Sequence, residues 1–171
     1  LGVGGEAAED LLRAGELVAI PTETVYGLGA DARNPQAVAK IFAAKGRPAD
    51  HPLIVHLPDV AALPQWAIDI PEAAYRLAEA FWPGPLTLLF PALPGLPPGI
   101  RSAAGKVALR VPGSPLCRTL LRAAGGSLTG TSANRSGAGG TNDPERAVRE
   151  LGGGIDLFVN AGTLPLSPAS T

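Results

Sequence analysis

An alternation limits what this chain can fold into: short apolar runs, ended by proline or glycine, recur between stretches with the apolar spacing of a helix. Residues 7–14 read as a short helix and 17–20 as an apolar strand stopped by Pro21, with Gly27 and Gly29 punctuating the loop that follows. Asn34-Pro35 has the form of an N-cap followed by proline at the first helical position, opening a helix to about Ala44 with Val38, Ile41 and Phe42 on its buried face. After a Gly-Arg-Pro loop, 53–57 reads as a strand, and 71–81 as a helix with Ala74, Leu77, Ala78 and Phe81 in register. Strands are expected at 86–90 and 107–111, a helix at 115–123, a short strand at 127–130, a helix at 143–151 and a last strand at 155–159.

This order implies an α/β sheet with helices packed on it. Several strands lie too close together for helical crossovers, so the sheet should be mixed. With neither an internal repeat nor a shift in composition, residues 1–171 are expected to form a single domain. Glycine and proline (22 and 18 residues) are concentrated between the strands, where stiff loops suit the holding of a site.

Composition excludes some classes. At 46% hydrophobic residues the chain is in the globular range, and no apolar run is long enough to cross a bilayer. Residues 1–10 lack the basic-then-apolar pattern of a secretory signal. The single cysteine, Cys117, excludes an intrachain disulfide framework, agrees with a reducing, cytoplasmic setting, and reads as a small core residue. The net charge of −1 gives no argument for general polyanion binding, although basic residues dominate from Arg101 to Arg122.

Four polar stretches lie against strand ends. The first, Pro21 to Gly29, holds two threonines, a carboxylate and a phenol; it is either a turn whose hydroxyls bond their own backbone or a rim for a small polar ligand. The second joins Lys45-Gly46-Arg47-Pro48 to His51 and His56. Its cations could complement a helix dipole or clamp phosphate, and His56 sits inside an apolar strand. In the third, Lys106, Ala108 and Arg110 share one strand face, as an anion site or a solvated edge. The fourth runs from Gly130 through Ser132 and Asn134 to Gly140, either a flexible loop or a nest of backbone N–H groups. It is no Walker loop or dinucleotide fingerprint, and no serine-nucleophile elbow occurs. The residues allow a small-molecule and phosphate site without naming a reaction.

Taken in order, PTETVYGLGADA at 21–32, KGRP at 45–48, HPLIVH at 51–56, FWPGPLTLLF at 81–90, VALRVP at 107–112 and TSANRSG at 131–137 resemble the YrdC-like family, the threonylcarbamoyl-AMP synthases. The resemblance covers nearly the whole chain. It implies a twisted, open mixed α/β sheet flanked by helices, with a large concave basic cavity. The activity implied is condensation of L-threonine, bicarbonate and ATP into threonylcarbamoyl-AMP with release of pyrophosphate. A threonylcarbamoyl transferase complex then uses the product to modify tRNA. Binding of double-stranded RNA or tRNA by the same fold is the alternative.

Carried over by position, the resemblance assigns Thr24, His56, Arg110 and Ser170 to L-threonine and bicarbonate. Lys45, Arg47, His51, Lys106, Ser132 and Asn134 fall to ATP, with Lys45, Arg47 and Arg110 neutralising charge during the reaction. Mg²⁺ is expected on the ATP phosphates, without a metal site built by the protein. His51 stands where the family often has asparagine. The family continues past Ser170-Thr171 through Val-Val-Asp to a segment containing an arginine, so the resemblance implies a domain lacking that segment.

Overall fold

The computed structural model describes residues 3–165; Ser170 lies outside them. The chain runs α1 (Val3–Arg13), β1 (Val18–Pro21), β2 (Tyr26–Asp31), α2 (Pro35–Lys45), β3 (Ile54–His56), a 3₁₀ helix (Val60–Gln65) and α3 (Glu72–Phe81). It continues β4 (Leu88–Pro91), β5 (Lys106–Arg110), α4 (Pro115–Ala123), β6 (Leu128–Ser132), α5 (Pro144–Leu151) and β7 (Leu157–Phe158). The strands form one sheet in the order β4-β5-β3-β6-β2-β1-β7. β3 with β5 and β1 with β7 are parallel and the other pairs antiparallel, so the sheet is mixed as expected.

One expectation is corrected. Residues 26–31, read as loop because of Gly27 and Gly29, are strand β2, paired to β1 on one side and β6 on the other. Two flanking ladders hold the glycines extended, and the missing side chains leave space on one face. The short 3₁₀ helix, opened by the Asp59 side chain accepting from Ala61 N–H, also escaped the sequence reading.

The two sheet faces are covered by different helices. On one, Leu28, Ala30, Val55, Val107 and Leu109 pack with residues of α2, α3, α5 and the 3₁₀ helix in the main core. On the other, Val18, Ile20 and Leu128 pack with Ala8 and Leu12 of α1 and Cys117, Leu120 and Leu121 of α4. Cys117 is thus a core residue, and burial pushes its thiol up to about 12, helped by the charge of Glu23. This second cluster covers only part of its face. The remainder, over β6, β3 and β5, is the floor of the site.

Candidate functional site

Strand register decides which side chains share that floor, because directly opposed residues point to the same face. Ile20 is opposite Gly27, Gly27 opposite Ser132, Gly29 opposite Gly130, and Gly130 opposite Ile54. His56 is opposite Leu128 on one side and Arg110 on the other. The face therefore has a band of glycines at its centre and an imidazole and a guanidinium at one end. A Cβ on Gly130 would lie 2.9 Å from His56 Nε2, so the glycine makes room for the ring. The result is a cavity of about 250 Å³ with polar side chains from Thr22, Thr24, Arg47, His56, Arg110 and Ser132 at its walls. Ile20, Val25, Leu28, Leu53 and Leu128 supply its apolar lining.

The loop between β1 and β2 is built by Thr22. Its hydroxyl donates to Val25 O at 2.6 Å and accepts from the Thr24 and Val25 amides, both at 3.2 Å. The two threonine hydroxyls lie 3.0 Å apart, and Thr24 borders the cavity. A threonine hydroxyl has acceptor lone pairs as well as a proton, so Thr24 can receive a donor such as an ammonium group. The turn and the ligand rim, alternatives from sequence, are one structure. Tyr26, by contrast, leaves the rim: its hydroxyl donates to Gly162 O at 2.6 Å and accepts from Ala161 N–H at 3.0 Å, while its ring packs by Phe158.

The end of α2 places the next cations. The Asn34 side chain caps the helix start, accepting from the Gln36 and Ala37 amides, and Gly46 closes its end at φ 60°. That left-handed residue turns the chain so that Lys45 points inward and Arg47 toward the cavity. Lys45 is buried, and its ammonium donates to Ser132 O at 2.5 Å and Asn134 O at 2.7 Å. Burial, then the neighbouring Arg47 charge, brings it down to about 8, with Glu150 opposing. Arg47 is fixed by donating from Nε to His51 O at 2.9 Å and from Nη2 to Pro52 O at 3.0 Å.

Arg110 is buried at 3% exposure. Nε donates to Gly84 O at 2.9 Å, and Nη2 pairs with Glu23 Oε1. Burial tends to raise the Glu23 carboxyl, but the Gly113 amide, its own amide and Arg110 outweigh it and leave the group below its usual value. His56 is buried and lowered to about 4, by burial first and the Arg110 charge second, with Glu23 opposing. It is therefore neutral at pH 7. Its Nδ1 has no hydrogen-bond partner among the described residues.

The site thus gathers Thr24, Arg47, His56, Arg110 and Ser132 around one cavity. Lys45 and Asn134 stand behind it as supports of the 132–138 loop. Asn134 donates to Arg135 O at 2.7 Å and to Ala138 O, and its buried Oδ1 accepts nothing among the described residues. His51 and Lys106 are exposed and do not line the cavity. Lys106 is at the start of β5, four residues from Arg110, or roughly 13 Å along an extended strand. The sequence reading took the hydroxyls and the carboxylate of 21–29 as turn formers or as a rim, but it named neither Thr22 nor Glu23 as a site residue. Among the described residues no three His, Cys, Asp or Glu side chains gather as metal ligands.

This is an α/β protein with a small-molecule cavity on the open face of a mixed sheet, and comparison with known proteins gives its family. The model described as Telomere recombination (Sua5/YciO/YrdC) matches residues 10–171, and the chain belongs to that family. It is 44% identical over 165 residues to the threonylcarbamoyl-AMP synthase of Bacillus subtilis, covering 96% of this chain and 48% of the relative. A threonylcarbamoyl-AMP synthase of Methylococcus capsulatus is 40% identical over 145 residues, with 84% of this chain and 77% of the relative covered. The crystal structure of Pyrococcus abyssi Sua5 complexed with L-threonine superposes with a TM-score of 0.93 at 40% identity, covering 98% of this chain and 49% of that one. The chain spans about half the length of the Bacillus and Pyrococcus proteins.

Proposed function

We propose that this chain carries the threonylcarbamoyl-AMP synthase activity: it joins L-threonine, bicarbonate and ATP into threonylcarbamoyl-AMP and releases pyrophosphate. The observation that supports this best is the cavity end where Arg110, neutral His56 and Thr24 meet. It offers a fixed cation for a carboxylate, and acceptors for an ammonium or hydroxyl, at one end of a cavity of about 250 Å³. The relatives bear the synthase name, and a solved homologue holds L-threonine. The RNA-binding alternative has no observation in its favour.

In this reading Arg110 takes the carboxylate of threonine, while Thr24 and His56 accept from its amine and hydroxyl. A neutral imidazole is needed there, because a charged one would repel the ammonium group. The amine, once deprotonated, attacks carbon dioxide or bicarbonate to give a carbamate. A carbamate oxygen then attacks the α-phosphorus of ATP, the α–β phosphoanhydride bond breaks and pyrophosphate leaves. No covalent enzyme intermediate is required, so the protein's contribution is alignment of two anions and neutralisation of charge.

Arg47, with its remaining N–H groups toward the cavity, is assigned to the phosphates. Ser132 and Asn134 shape the nucleotide loop, and Lys45 supports that loop while adding positive charge behind it. Lys106, on the same sheet face as Arg110, and His51 would meet only the outer part of the triphosphate. Ser170 is assigned to the ligand by the family resemblance alone. With no ligand cluster of its own among the described residues, the protein is given no metal-bound step; Mg²⁺ is proposed to come with the ATP phosphates.

A threonylcarbamoyl transferase complex, with tRNA as its substrate, would take the product in the cytoplasm. Among the described residues no helix is long and apolar enough to cross a membrane. The deciding measurement is pyrophosphate release from ATP with and without L-threonine and bicarbonate. Dependence on both is expected; release that continues unchanged without threonine would sink the proposal.

A further inference from the structure

We infer that Glu23 is the positioning residue for the amino-acid end of the cavity: its carboxylate fixes the direction of the Arg110 guanidinium and so sets the affinity for the substrate carboxylate. The identity of that substrate rests on the synthase reading above; the positioning itself rests on the geometry of this chain.

Arginine reaches its site on a long stem with many rotamers, and a buried guanidinium is useful only when its plane is fixed. Arg110 has two restraints on adjacent nitrogens, Nε to Gly84 O and Nη2 to Glu23 Oε1. Two points on one edge of a rigid planar group determine both its tilt and its rotation. The N–H groups left over, both on Nη1 and the second on Nη2, form the opposite fork, the geometry that receives a carboxylate. Without Glu23, the Gly84 contact is the one left among the described residues, and the plane can turn about it.

Glu23 can act as a reference point because it is held from behind. Oε2 accepts from Ser114 N–H at 3.2 Å, and the Gly113 amide bonds the same carboxylate. A Cβ on Gly113 would lie 3.3 Å from the carboxyl carbon, so a glycine there lets the backbone approach closely. Ser114 is the N-cap of α4, where free amides and the helix dipole favour an anion. Glu23 thus ties Arg110 to α4 and to the Thr22–Val25 loop that carries Thr24. His56 is placed by β3, so a change at position 23 should displace the Arg110 arm of the site and leave the His56 arm in position, although its ring feels the Glu23 charge.

A carboxylate that merely offsets the buried charge of Arg110 would affect stability and nothing else. The two roles separate in kinetics. Glu23→Gln keeps size and shape but removes the charge. The expected result is a ten- to hundredfold rise in KM for L-threonine, the penalty typical of a misplaced substrate contact. KM for ATP should stay within about twofold, because Arg47 and its loop are untouched. Glu23→Asp keeps the charge one methylene short and should give a smaller rise.

In NMR spectra the Arg110 Nε–H resonance, assigned with Arg110→Lys, should be sharp in the wild type and broadened in Glu23→Gln. A threonine KM within twofold of wild type, whatever happens to the melting temperature, overturns the inference. If Glu23→Gln does not fold, Glu23→Asp is read on the same constants and resonance, and wild-type values there overturn it equally. If the wild type itself shows no use of threonine, the synthase reading is what fails. The Arg110 resonance then decides alone whether Glu23 positions the guanidinium.

Discussion

At the scale of single residues, the charged and polar groups of the cavity are held by partners that face away from it. Arg47 leans on two carbonyls, Arg110 on Gly84 O and Glu23, and Thr24 on Thr22. His56 differs, since among the described residues nothing bonds its Nδ1, and burial next to Arg110 makes protonation costly. Its folded value of about 4 is below the ordinary 6.5, so below pH 6.5 the unfolded chain takes up a proton that the folded chain refuses. Stability should therefore fall as pH drops from 6.5 toward 4, by about 2 to 3 kcal/mol from this residue alone. Urea unfolding at pH 7 and pH 4.5 tests this: His56→Gln should show a markedly flatter dependence than the wild type, and equal slopes would contradict it. The family resemblance pointed to His56, since from the residues alone an imidazole in an apolar strand reads more readily as a satisfied, half-buried group than as a ligand. Sequence could not show that Glu23 answers Arg110, because 87 residues separate the partners.

At the scale of elements, glycines on neighbouring strands help to open the cavity, with Gly27 and Gly130 among its lining residues. Gly27 and Gly29 on β2 and Gly130 on β6 come together only through the antiparallel register of the two strands. Gly130→Ala would place a methyl group against the His56 ring. We expect a loss of about 1–3 kcal/mol, the usual range for overpacking, together with weaker L-threonine binding. Thermal denaturation and calorimetric titration would read the two effects. Wild-type threonine affinity in a folded Gly130→Ala protein would mean that the ring does not border the ligand. The caps were legible in the sequence: Asn34-Pro35 opens α2 as read, and the helix ends one residue beyond the expected point. β2 was not legible, since its glycines look like loop until a partner on each side holds them extended.

At the scale of the molecule, the sheet packs a full core on one face and leaves the other part-covered. Ligand binding on the open part should stabilise the whole domain, because the residues lining the cavity belong to five strands. At a concentration one hundred times its Kd, L-threonine should add about 2.7 kcal/mol, raising Tm by roughly 5–10 °C for a domain of this size. D-Threonine at the same concentration should give a smaller shift, and equal shifts would remove the stereochemical argument for the pocket.

The sequence by itself determined most of the elements, the mixed sheet and the residue types near strand ends. These depend on local spacing, caps and turn residues, and such signals are complete within a few positions. Only the tertiary structure decided that Thr24, His56 and Arg110 share a cavity, that Lys45 stands behind a loop, and that Lys106 is remote from the cavity. Those outcomes follow from strand register and from which face the helices cover. Register shifted by one residue would turn His56, Lys106 and Arg110 to the other side of the sheet.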